Sequence, residues 1–133
     1  MISSANFERA TAALAAALNS LSQIDQIAVG TSPKKLIWQQ GKVKLYRYQS
    51  RKRQLQTPLL LVYALVNRPA MLDLEPKRSL VQGLLKQGVD LYLIDWGYPT
   101  RIDRYKTLQD LIEQLDEIVE IIAQKAKLPA INM

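Results

Sequence analysis

Residues 58–98 read PLLLVYALVNRPAMLDLEPKRSLVQGLLKQGVDLYLIDWGY, and this stretch decides the fold. Leu59 to Leu65 and Leu91 to Ile94 are apolar without alternation, the pattern of strands covered on both faces, as in a parallel sheet. Between them, Ser79 to Gln87 places Leu80, Val81, Leu84 and Leu85 at helical spacing. Gly88 stands where a helix C-terminus takes a residue of positive φ. The predicted unit is strand, loop, helix, strand. A right-handed crossover of that kind puts the loop after the first strand at the carboxyl edge of the sheet, where open α/β sheets keep their chemistry.

Upstream, Lys42 to Tyr48 alternates Val43 and Leu45 with lysines, a period-two pattern that predicts a strand. A shorter strand at Lys35 to Trp38, turning at Gln40-Gly41, would make a hairpin with it. Gln23 to Pro33 is a connector ending in Gly30-Thr31-Ser32-Pro33, and Gln49 to Thr57 is a polar link. Ser4 to Ser22 is Ala-rich, with Phe7, Ala10, Leu14, Ala17, Leu18 and Leu21 on one side at helical spacing, and predicts a docking helix. Arg9 is the only cation of its polar side, which disfavours a membrane-surface helix.

Downstream, Thr107 and Asp110 resemble a capping box with Asp in place of Glu. Leu108, Leu111, Ile112, Leu115, Ile118, Val119 and Ile122 then trace the apolar face of a helix about 30 Å long, ended by Pro129. Ala130 to Met133 reads as the opening of a third parallel strand. The pattern therefore predicts the front portion of a longer α/β sheet, whose next element would be the strand-to-helix turn that carries the nucleophile in hydrolase-like sheets.

The chain of 133 residues has neither Cys nor His. No disulfide framework, zinc cluster or thiol nucleophile can be built from it, and the common nucleophile–base pairs are unavailable. No apolar run approaches the roughly 20 residues that cross a bilayer, and the N-terminus lacks a secretory pattern, so a cytoplasmic location is the default expectation. The net charge of +6 is uneven: nine of the 18 basic residues, from Lys34 to Arg68, lie in a stretch from Gln26 to Leu72 that has no acidic residue. Two readings stay open for this segment. Charges on an edge strand discourage edge-to-edge association; alternatively they attract an anionic partner such as a phosphate-bearing substrate. No helix-turn-helix, zinc spacing or aromatic RNA-binding pattern supports nucleic acid.

The run TPLLLVYALVNRPAMLDLEPKRSLVQGLLKQGVDLYLIDWGYPTRIDRYKTLQDLI resembles the front of the catalytic subunit of class III polyhydroxyalkanoate synthases (PhaC). The family's signature there is close to VYALVNRPYMLDL, then RSLV, then DVYLIDWGYPDRADR. The earlier TSPKKLIWQQGKVKLYRY is also similar to the family, so the match runs from about Val29 to the end of the sequence. Residues 1–28 would be an N-terminal Ala-rich helix and connector. Residues 29–133 would be a partial α/β-hydrolase domain ending before the nucleophile elbow. The expected fold class is α/β: a mostly parallel sheet with an N-terminal β-hairpin and flanking helices.

The resemblance implies polymerisation of (R)-3-hydroxyacyl-coenzyme A into polyester with release of CoA. It implies a Cys–His–Asp triad whose three members lie beyond Met133, so no catalytic side chain is expected in this chain, and neither is a metal or cofactor. It implies that the backbone N–H of Val66 donates to the oxyanion, and it assigns Asn67 and Asp73 to support of the active-site loop. For Asp73 a simpler reading competes: an N-terminal charge favouring the helix that starts near residues 76–79. Asp95 and Trp96 are expected to fix a loop rather than to act as a triad acid. Ala70 departs from the family's Tyr. The implied partners are the second synthase subunit (PhaE), the 3-hydroxyacyl-CoA substrate and the polyester granule surface, with no nucleic acid and no transmembrane span. The alternative function is a non-catalytic module that binds the partner subunit or the granule. An unrelated hydrolase is disfavoured because no Gly-x-Ser-x-Gly is present.

Overall fold

The strand LYLID, Leu91–Asp95 (β4), is apolar on both faces and is covered on both, in a computed structural model that describes residues 30, 32–65, 68–75 and 77–133. Its partners are the hairpin strands Lys34–Gln40 (β1) and Val43–Tyr48 (β2), and the short strand Leu59–Leu61 (β3). The sheet order is β1-β2-β4-β3. β3 runs parallel to β4, from Leu59↔Leu91 to Leu61↔Leu93, as the crossover pattern requires. The expected Ala-rich helix at Ser4 to Ser22 lies outside the described residues.

The sheet is mixed rather than mostly parallel, because β1–β2 and β2–β4 are both antiparallel. The hairpin does not sit apart from the crossover unit. Val43 and Leu45 face one side and Tyr48 the other, all 1% exposed or less, so β2 has two apolar faces and fits an inner position beside β4. β3 is also shorter than the apolar run Leu59 to Leu65 suggests. After Leu61 the chain leaves the ladder, and the Tyr63 carbonyl accepts the indole N–H of Trp96 at 3.0 Å. On the free side of β3, Leu60 N–H donates to Asn132 O and Asn132 N–H to Pro58 O, a parallel bridge where the opening of a third parallel strand was expected.

Two apolar layers follow from the alternation. One contains Tyr92, Ile94, Leu60, Val43 and Leu45, covered by Ile118 and Ile122 of the helix Leu108–Ala126 (α2). Each fully buried aliphatic side chain contributes about 1.5–3 kcal/mol. Leu108 and Ile112, counted on the same face by spacing, are exposed instead. Thr107 and Asp110 form the expected capping box, but α2 ends earlier than Pro129, at Lys127 in the left-handed conformation (φ 56°). Gln114, buried on α2, donates to the Gln40 side chain at 2.7 Å and ties the helix to β1.

The second layer packs Leu91, Leu93 and Tyr48 against Val81, Leu84 and Leu85 of the helix Leu80–Lys86 (α1). Leu80 faces outward at 52% exposure, so the buried stripe begins one residue later than its spacing suggests. At the start of β4, the 4%-exposed Asp90 is satisfied by a two-pronged contact from Arg47, 2.7 and 2.9 Å, with Arg53 at 3.5 Å. A buried carboxylate without such a partner is costly, which fixes the ends of β2 and β4 together.

Gly88, φ 78°, closes α1 and lies under the polar link: a Cβ there would sit 2.4 Å from the Lys52 carbonyl oxygen, and the Gly88 carbonyl accepts from Gln54 N–H at 3.0 Å. Gly88→Ala therefore combines backbone strain of about 1–2 kcal/mol with a backbone clash. The expected result is a loss of about 2 kcal/mol or more in urea denaturation. A midpoint unchanged from the parent would contradict this packing.

Candidate functional site

The crossover places the segment between β3 and α1 at the carboxyl edge of the sheet. Tyr63 and Leu72 of this segment pack against the core layer beside α1, whereas Val62 and Leu65 are exposed. The segment is also held by polar ties at both ends. At its start stands the Trp96 indole on the Tyr63 carbonyl. At its far end the 3-10 turn Pro69–Leu72 leads into Asp73, which is 1% exposed.

The Asp73 carboxylate accepts three hydrogen bonds: from Ser32 N–H at 2.9 Å, from the Ser32 hydroxyl at 2.8 Å and from the Ser79 hydroxyl at 2.5 Å. Its main-chain carbonyl accepts from Gly30 N–H at 2.7 Å. Ser79 is also the N-cap of α1, accepting from Gln82 N–H at 2.9 Å. One carboxylate thus joins the connector before β1, the 3-10 turn and the first turn of α1. Burial alone pushes the Asp73 carboxyl up. The bonds from Ser79 and Ser32, with the charge of Lys34, outweigh it and hold the group below the ordinary carboxylate value.

Val66 and Asn67, the other two loop positions singled out by the sequence, lie outside the described residues. Asp95 and Trp96 end β4: the Asp95 carboxylate accepts from Gly97 N–H at 3.0 Å. Gly97, φ 69°, lets the chain pass within contact of the β1–β2 turn, where a Cβ would lie 2.9 Å from the Lys42 carbonyl. The expectation that Asp95 and Trp96 secure local structure agrees with these bonds.

Beside this edge is a cavity of about 330 Å³, into which Lys34, Lys42, Lys44 and Arg68 face Asp95 as the single acid. Lys42 is engaged with Asp103 at 2.7 Å and with the Tyr98 carbonyl at 3.0 Å. Lys34 Nζ lies 4.8 Å from the centre of the Tyr46 ring, and the Arg68 guanidinium 5.2 Å from that of Tyr98. Sequence reading found the basic segment but not this convergence. The pairing of Lys44 with Asp95 across β2 and β4 creates it, and that pairing depends on the antiparallel insertion of the hairpin. Ser32, 41 positions from Asp73, carries no local signal of its partner.

Among the described residues there is no group of three or more acidic residues that would hold a metal ion. Nor is any helix long and apolar enough to cross a membrane.

Comparison with known proteins places these elements in a family context. The family described as "Poly-beta-hydroxybutyrate polymerase (PhaC) N-terminus" matches residues 7–84. A poly(3-hydroxyalkanoate) polymerase subunit PhaC from Synechocystis sp. is 50% identical over 111 residues, 82% of this chain and 29% of that protein. The same-named subunit from Haloferax mediterranei is 41% identical over 120 residues, 89% of this chain and 24% of its own. That of Thiocystis violacea is 40% identical over 126 residues, 92% of this chain and 36% of its own. The chain spans about a quarter to a third of the length of these curated relatives.

Because the folded-state Asp73 carboxyl titrates below its unfolded value, its contribution to stability is present above about pH 4 and is lost as pH falls through the lowered value. In Asp73→Asn a single amide oxygen replaces two acceptors. The expected loss is about 1–3 kcal/mol at pH 7, with a smaller difference between pH 7 and pH 3 than in the parent. Urea denaturation followed by circular dichroism at the two pH values measures both. A variant with the parent's pH dependence would contradict the assignment.

Proposed function

The chain belongs to the poly(3-hydroxyalkanoate) polymerase (PhaC) family, and from that premise we propose that it forms the N-terminal part of an α/β-hydrolase-type site that polymerises (R)-3-hydroxyacyl-CoA with release of CoA. The observation that carries this reading is the placement of the loop after β3, at the carboxyl edge of a parallel β3–β4 pair and tied at both ends by Trp96 and Asp73. The order β1-β2-β4-β3, with Asn132 bridging the outer side of β3, supports the hydrolase-type sheet.

In the proposed mechanism a cysteine thiolate attacks the thioester carbonyl, the carbonyl oxygen becomes an oxyanion, and coenzyme A leaves as its thiolate. The chain contains neither Cys nor His, so the attacking sulfur and its base are supplied by polypeptide other than these 133 residues. The part assigned here is electrostatic: the Val66 N–H donates to the oxyanion, while Asn67 and Asp73 hold the loop that aims it. An N–H fixed before the reaction requires no reorganisation as charge develops, and losing one such donor costs on the order of 10²–10³ in rate. The proposed setting is the cytoplasm, at the granule surface and in company with the partner synthase subunit.

Two outcomes are expected. The purified chain, incubated with 3-hydroxybutyryl-CoA, releases no thiol above a protein-free blank; measurable turnover would overturn the division of labour. Residues 29–133 grafted in place of the matching segment of the Synechocystis polymerase support polymer formation. Within that graft Val66→Ala, which keeps the N–H, retains most activity, whereas Val66→Pro, which removes it, loses about 10²–10³ in kcat. Equal rates for the two variants would remove Val66 from the site.

A further inference from the structure

We propose that the basic cavity at the carboxyl end of β4 binds the phosphate groups of the coenzyme A portion of the substrate, with Lys34, Lys44 and Arg68 as the anion ligands. This assignment rests on the acyl-CoA reading above and adds to it a subsite for the nucleotide end of the thioester.

The charge balance is the first argument. Four cations line a cavity of about 330 Å³ against one carboxylate, a size suited to a small-molecule group rather than to a nucleic-acid duplex. Lys42 is neutralised by Asp103. The salt bridges among the described residues use Lys42, Arg47 and Arg53, and none uses Lys34, Lys44 or Arg68. Protection of an exposed edge explains lysines on β1, but Lys44 belongs to β2, hydrogen-bonded on both sides by β1 and β4. Lys44 is a half-buried residue on an inner strand, and its charge lines the cavity without a salt-bridge partner.

The second argument is orientation. The Tyr46 and Tyr98 rings hold Lys34 and Arg68 by their charge, and each cation carries more N–H donors than one ring face can engage. Those donors stay available for phosphate oxygens, and the planar guanidinium matches them two at a time. The third is position. Arg68 lies two residues beyond Val66 in the sequence, so the cavity and the proposed oxyanion donor draw on the same loop. Coenzyme A joins phosphate to sulfur through one extended arm, which fits two separate subsites on one edge.

Isothermal titration of the full chain with coenzyme A, with pantetheine and with inorganic phosphate tests the assignment. Coenzyme A is expected to bind with an affinity that falls as salt rises. Pantetheine, which lacks the nucleotide phosphates, should bind at least about tenfold more weakly. Lys44→Gln with Arg68→Gln should lower coenzyme A affinity at least about tenfold. The single Arg68→Gln, on an exposed loop, serves as the folded variant should the pair disturb β2. Lys35→Gln, on β1 and outside the cavity, should leave binding unchanged.

Absence of coenzyme A binding, pantetheine binding as tight as coenzyme A, or indifference to both substitution sets would overturn the proposal. Inorganic phosphate binding as tightly as coenzyme A would assign the cavity to free phosphate and overturn it equally. The grafted polymerase separates this failure from that of the function. A graft that polymerises while coenzyme A ignores Lys44 and Arg68 leaves the function standing and removes the subsite. An inactive graft whose segment still binds coenzyme A through these residues does the reverse.

Discussion

Leu91, Tyr92, Leu93 and Ile94 are each 1% exposed or less, so β4 must be hydrogen-bonded along both edges and covered on both faces. Each requirement recruits a different part of the chain. The edges take β2 from upstream and β3 from the crossover; the faces take α1 and α2. The dryness of the α1 face shows in Tyr48: burial, with the charge of Asp73 adding to it, pushes the phenol up to about 12. Coverage stops at the carboxyl end of β4, at Asp95, beyond which Gly97 and Tyr98 leave the sheet. Backbone and charged side chains can approach a ligand there without opening the core.

Much of this was legible before any coordinates. The unbroken apolar runs gave β3 and β4 as covered strands, and the spacing of Val81, Leu84 and Leu85 with Ser79 before and Gly88 after gave α1. The Thr107–Asp110 box gave the start of α2. What local pattern could not supply was sheet order. An apolar run specifies coverage, not the identity of the neighbour, so β2 beside β4 and the resulting mixed sheet had to come from tertiary packing. The length of β3 failed for a related reason: Tyr63 is as apolar as its neighbours, but its carbonyl is claimed by Trp96, 33 residues later. Of the three loop positions singled out, Asp73 proved to be a buried hub, and its partner Ser32 is an ordinary serine in a turn when read locally.

Charge shows the same division between composition and topology. The acid-free stretch from Gln26 to Leu72 looked like one property of one segment. Folding sends its members to different places, with Arg51 and Lys52 left exposed on the polar link. Arg47 and Arg53 are committed to buried Asp90, Lys42 to Asp103, and Lys35 lies on the edge strand. Lys34, Lys44 and Arg68 are brought from β1, β2 and the loop after β3 to one cavity. Pairs within the first group serve the fold, because a buried carboxylate stripped of its guanidinium is strongly destabilising. The last group makes no salt bridge among the described residues, although the charge of Lys34 favours the ionised Asp73.

The segment between β3 and α1 is held by packing and by directional bonds together. Tyr63 and Leu72 pack against the core, whereas Val62, Leu65 and Met71 are 44%, 44% and 54% exposed. Directional bonds add a constraint that acts over short distances and sets angles as well as separation. The Trp96 indole fixes the exit from β3, and the Asp73 carboxylate fixes the approach to α1 from three directions. Because both anchors are themselves buried, breaking either leaves a polar group without solvent to replace its partner, and so each tie resists small displacements more steeply than an apolar contact of similar strength. The two ends of the segment are thus set by bonds of fixed direction while several of its apolar side chains face solvent.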